Sequence, residues 1–138
     1  MTPPKIKPED GRDAVEKVLA SLGMPAVAHD VTHTGRVSVE PASREQLALA
    51  VRYLLQRFEH DNPGQTVEVR VPPFGAVQAV DGPRHTRGTP PNVVELAPGE
   101  WVALATGHES WDSLIASGRI SASGTRSNIS ALLPLAEW

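Results

Sequence analysis

Apolar residues recur along the chain with two periods, and the switches between them mark out its elements. Met1 to Glu9 carries three prolines and little apolar content, which reads as an extended arm. From Asp10, the expected N-cap, the period is helical: Ala14, Val15, Val18, Leu19 and Leu22 share a face, and Gly23 with Pro25 supplies a stop. Ala26 to Gly35 reads as loop, and Arg36 to Glu40 alternates enough for a short strand. Ser43 and Gln46 then form a capping-box pair. Behind them Leu47, Ala50, Val51, Leu54, Leu55 and Phe58 fall at i, i+3, i+4, i+7, i+8 and i+11 as one stripe, which a sheet is expected to cover. Leu49 and Tyr53 lie off that stripe and are placed to touch a second surface.

The period becomes two from Gln65 to Val71, where Val67, Val69 and Val71 alternate with Glu68 and Arg70 as a half-buried antiparallel strand. Phe74 to Val80 and Asn92 to Leu96 are the next strands, separated by the polar loop DGPRHTRGT at Asp81 to Thr89. Pro98 suits the first turn of a helix that is apolar nearly all round (Trp101, Val102, Leu104, Ala105) and stops at Gly107. Ser110 caps a short helix with Trp111, Leu114 and Ile115, stopped by Gly118. Arg119 to Ser123 predicts a strand with Ile120 and Ala122 on one side. Ser127 is the expected cap of a last helix presenting Ile129, Leu132 and Leu133, closed by Pro134.

Composition narrows the classes. The chain is 40% hydrophobic and 21% charged with net charge −3, as in an ordinary globular domain. No basic stripe favours nucleic acid, and aromatics at 4% do not make a base-stacking platform. Without cysteine there are no disulfides, thiolate nucleophiles or zinc–thiolate sites. The first residues lack an apolar signal region, and no segment reaches the roughly 20 apolar residues that span a bilayer, so a soluble cytoplasmic protein without stable membrane insertion is expected.

The catalytic search is brief. No G-x-S-x-G elbow, Ser/His/Asp arrangement, evident acid/base carboxylate pair, Walker loop or G-x-G-x-x-G after a strand is present. His29 and His33 have the spacing of a helical metal pair, but AVAHDVTHTG has no helical period and no third ligand, which favours solvated loop histidines over a metal site. His60 and His108 sit at helix ends, where positive charge complements the dipole. Arg84, His85 and Arg87 have two readings: pairing with Asp81 or Glu95 to pin their loop, or gripping the carboxylate or phosphate head of a ligand.

The runs WVALATG, SLIASGRISASG and NISALLPL resemble the C-terminal half of the sterol carrier protein type 2 family, on Thr106-Gly107, Ser117-Gly118, Ile120, Gly124 and Leu132-Leu133. PRHTRGTPPNVVE extends the likeness toward the small stand-alone bacterial sterol-carrier-like proteins. The resemblance implies an α+β fold, a mixed sheet of about five strands with helices on one face, and an apolar cavity. Only two meander strands are clear before the crossover, so the third must come from the DGPRHTRGT region or from Arg36–Glu40; the arm and first helix, to Leu22, have no counterpart in the basic domain. The chain thus divides into an arm and helix over 1–40 and a sterol-carrier-like domain over 41–138.

The function implied is non-catalytic binding, and transfer, of a lipid or other apolar small molecule, with no cofactor and no metal. Val102, Leu104, Leu114, Ile115, Ile129, Leu132 and Leu133 would line the cavity, with Arg84 and Arg87 at its mouth; the other reading of those apolar residues is close-packed core. Related folds occur in thiol-dependent isomerases and acyltransferases, a role the lack of cysteine disfavours. The alternative class is a ligand-free interaction module or homodimer, meeting its partner through Leu49, Tyr53, Trp138 and the arm.

Overall fold

The computed structural model describes residues 5–24, 41–83 and 91–138. Helix α1 (Pro8–Ser21) begins earlier than the sequence suggested. Pro8 takes the first helical position, where a missing N–H costs nothing, so Asp10 falls inside the first turn and Lys7 precedes the helix without a side-chain cap. Its end is as expected: Gly23 has φ 73°, and the Met24 N–H reaches back to the Leu19 carbonyl at 2.8 Å. The same closure ends α3 (Pro98–Thr106) at Gly107 and α4 (Trp111–Ala116) at Gly118.

Helix α2 (Arg44–Asp61) starts on the foreseen capping box: the Ser43 hydroxyl accepts from the Gln46 N–H at 3.1 Å, and Gln46 Oε1 accepts from the Ser43 N–H at 2.9 Å. Ala50, Val51, Leu54, Leu55 and Phe58 are buried and Leu47 is half-buried. The second surface expected at Tyr53 is α1 itself. Tyr53 is 1% exposed, and a Cβ on Gly11 would fall inside its ring. Gln56 joins the arm to α2 by accepting from the Ile6 N–H at 2.9 Å and donating to the Ile6 carbonyl at 3.0 Å. Tyr53 is therefore not available to the docking patch of the alternative reading, while Leu49 and Trp138 are half-buried against the core.

The described residues form a sheet of four strands rather than about five, in the order β2-β1-β3-β4. Strand β1 (Val67–Val71) is antiparallel to β2 (Gly75–Ala79), as alternation implied, but parallel to β3 (Asn92–Leu96), which is antiparallel to β4 (Ile120–Ser123). Asp81 to Pro83 is not strand, and both Arg36–Glu40 and the rest of the DGPRHTRGT loop lie outside the described residues. One face is covered: Val69 pairs with Val77 and Val94 there, while Glu68, Arg70 and Glu95 occupy the other, with Arg70 and Glu68 in ion contact at 2.9 Å. Helix α3, buried on every side as its composition required, sits at the centre. Its Trp101 donates from Nε1 to the Val51 carbonyl at 3.3 Å and meets Phe58 edge-on, with ring centroids 6.0 Å apart.

The last predicted element is the main correction. Instead of a helix capped by Ser127 there is a single 3₁₀ turn, Ser130–Leu132. Ser127 is buried, and its hydroxyl donates to the Gly124 carbonyl at 2.9 Å; the Asn128 carboxamide oxygen accepts the Ser130 N–H at 3.0 Å instead. Pro134 forces Leu133 into extended backbone (φ −128°, ψ 146°), so fewer than two helical turns fit between Ser127 and Leu133. From there the chain runs irregularly across the end of α3, where the Leu135 N–H reaches the Ala105 carbonyl at 2.9 Å.

Candidate functional site

The end of α3 is set by two adjacent residues. The Thr106 hydroxyl donates to the Val102 carbonyl at 2.7 Å, and Gly107 takes φ 87°, turning the chain into His108, Glu109 and the cap of α4. Ser110 provides that cap by accepting the Ser113 N–H at 3.1 Å. The C-terminal segment returns over this turn with Pro134 close by: a Cβ on Gly107 would lie 3.4 Å from Pro134 Cγ.

Between the α3–α4 turn and the returning segment lies a solvent-open cleft of about 510 Å³. Leu104, Trp111, Leu133 and Pro134 supply its apolar surface, and His108, Glu109, Asp112 and Ser130 its polar one. Nearby, Arg119 stands 3.9 Å from Glu109 and 4.0 Å from Glu100, at distances and exposures where an ion pair is weak. A second open cleft, of about 610 Å³, lies beside the end of α2 between Asn62, Pro63, Val80 and Asp81. Its apolar contributor from the C-terminal segment is Leu132, so consecutive leucines serve different clefts.

The residues expected around a cavity are therefore divided. Leu104 and Leu133 meet at the first cleft and Leu132 is at the second. Val102, Leu114 and Ile129 are buried in the core and line neither cleft, and Ile115, on the outer face of α4, is 41% exposed. Arg84, His85 and Arg87 lie outside the described residues, as do His29 and His33. His108 belongs to the first cleft rather than only to a helix end, and Trp111 and Pro134 complete it; the sequence read Trp111 as helix packing and Pro134 as a stop. His108 and Pro134 shared a signal of position, at joints where a helical turn gives way to loop, whereas Trp111 opens the next helix.

Among the described residues no group of three or more His, Asp or Glu side chains is placed to hold a metal ion. None of their helices is long and apolar enough to cross a membrane. A shallow apolar surface with a polar edge suits sequestering part of a small molecule from water.

The described residues thus form an α+β arrangement, a mixed sheet covered on one face by helices with clefts at the C-terminal segment. The family described as bacterial SCP orthologs matches residues 43–135, and the chain belongs to it. No curated protein matches the chain significantly. The matched stretch runs from the capping serine of α2 to the leucine tied to α3, and leaves α1 outside.

Proposed function

We propose that the protein binds a lipid or other apolar small molecule without transforming it, in the cleft between the α3–α4 turn and the C-terminal segment, and passes it on in the cytoplasm. The observation that carries this reading is the convergence of Leu104 and Leu133 with Trp111 and Pro134 in one cleft, within a family whose fold is generally a non-catalytic carrier's. Removing an alkyl chain from water is worth about 0.8 kcal/mol per CH₂, so about ten methylenes seated there reach micromolar affinity without a charged contact. Val102, Leu114 and Ile129 back the cleft, and a chain longer than the open groove enters by moving the segment that carries Leu132 and Leu133. In this reading Arg84 and Arg87 contact the ligand's charged head.

The test is titration with a dansyl-labelled long-chain fatty acid, alongside native mass spectrometry of freshly purified protein. Micromolar binding is expected, and Leu133→Trp, which fills the groove, weakens it about tenfold while shifting the melting temperature little. A fatty acid, phospholipid and sterol panel that leaves the protein unliganded removes the reading.

A further inference from the structure

The C-terminal segment is the movable wall of the proposed cleft, and beyond its 3₁₀ turn it is fastened by hydrogen bonds at two named points. One is internal to the family-matched stretch, where the Leu135 N–H meets the Ala105 carbonyl at 2.9 Å. The other comes from outside it: Arg12, on α1, donates from Nε to the Trp138 carbonyl at 2.8 Å. Ser130, Leu133 and Pro134, the residues of this segment that line the cleft, precede both fastenings. Beyond the single 3₁₀ turn this segment has no regular secondary structure, so few backbone bonds oppose its lifting. Helix α1, by contrast, is a firm anchor. Ala14, Val15, Val18 and Leu19 are in the core, and Gly11 lies against the Tyr53 ring.

We infer that α1 latches the C-terminal wall through Arg12 and so sets the rate at which an apolar ligand enters and leaves the cleft. The inference rests on the carrier reading above for its ligand half only. Arg12 is a positioning residue here, since it acts on the backbone of Trp138 and does not line the cleft. Opening the wall admits and releases ligand by the same movement, so loosening the latch raises both rates and changes the dissociation constant less than either.

Arg12→Ala tests this without disturbing α1, because Arg12 is exposed and alanine is the best helix former. Hydrogen exchange of the Leu135 amide, the bonded N–H nearest the latch, should quicken about fivefold, the effect of losing one charged contact at a surface. Dissociation of the dansyl fatty acid, followed after adding excess unlabelled oleate, should quicken by a similar factor, with Arg12→Lys falling between. Unchanged exchange in Arg12→Ala overturns the latch, and faster exchange with an unchanged dissociation rate overturns its control of the ligand. Faster exchange when neither protein binds any fatty acid defeats the carrier reading and the ligand half together, and leaves the mechanical coupling of α1 to the C-terminal segment standing.

Discussion

Helix α1 and the C-terminal segment are both outer pieces, each laid over the helices that cover the sheet, yet they are held in opposite ways. Helix α1 is regular and seated by shape: four apolar side chains enter the core and a glycine admits the ring of Tyr53. The segment after β4 has comparable apolar content, with Ile129 and Leu135 buried and Leu132 and Leu133 half-buried. Its backbone nevertheless makes only one helical turn and then depends on single hydrogen bonds to its neighbours. A face secured by interdigitation resists any local change, whereas a strap secured at points can lift between them. The piece outside the family match is thus the regular, deeply seated one, and the piece inside it borders both clefts.

The largest effect in this contrast is expected at Gly11. In an exposed helix, replacing glycine generally stabilises, by up to about 1 kcal/mol for alanine. Here a side chain must share space with Tyr53, which has 1% exposure and nowhere to retreat. Gly11→Val should therefore lose about 3 kcal/mol in chemical denaturation, the upper range for overpacking. Adding Tyr53→Ala should cost less in the Gly11→Val background than in the wild type. Strict additivity of the two substitutions would mean that α1 is not seated by this contact.

How much of each region was legible follows from the same difference. Periodicity found α1, α2, α3 and α4, because a helix that buries a face must repeat at its own pitch. Each glycine foreseen as a stop took a positive φ, and the capping box of α2 is present atom for atom. The C-terminal leucines carried an equally helical spacing, yet Asn128 and Pro134 redirected the backbone before a second turn could form. Sheet order was legible only in part: β1's alternation implied antiparallel pairing, which holds for β2 but not for the parallel β3 on its other side. Nor was Asn92, whose buried amide donates to the Thr66 carbonyl and accepts the Arg126 N–H, both at 2.9 Å. It reads in sequence as an ordinary polar strand start.

The cleft was legible only in part, for a related reason. Thr106-Gly107, Ser117-Gly118 and Gly124 carry the family likeness, and each is explained by a turn. Thr106 and Ser117 bond back to their own helices, and a Cβ on Gly124 would collide with Asn92. Only Gly107 of these also borders a cleft. Such residues report architecture, so they located the neighbourhood of Leu104 and Leu133 without separating lining residues from the core behind them.

A middle-sized effect belongs to the strap's own anchor. Leu135→Ala removes a side chain that is 7% exposed and should cost about 2 kcal/mol, the low end for buried leucines because the site lies near the surface. The contrast with Gly11 is in where the cost appears. Hydrogen exchange should quicken at the Leu133 and Leu135 amides and leave the α1 amides protected, whereas Gly11→Val should expose α1 and, through Arg12, the segment as well. Equal loosening of α1 in both variants would erase the distinction between a shape-seated helix and a point-held strap.

The smallest effect decides what keeps the segment from being a helix. Asn128→Ala deletes the exposed hydrogen bond to the Ser130 N–H and should cost less than about 1 kcal/mol. If the side chain's competition for that N–H were the cause of the irregular path, alanine, the best helix former, would let Ser127 to Leu133 coil and raise the helical circular-dichroism signal. Pro134 remains, however, and still demands an extended Leu133, while the Leu135 N–H is already committed to Ala105. Those two constraints lie downstream of Asn128 and leave room for barely more than one turn. The expected outcome is therefore an unchanged helical signal with a slightly lower melting temperature. A gain of even one helical turn would show that the strap is irregular by a local choice at Asn128, and that its looseness is not imposed by where it must cross α3.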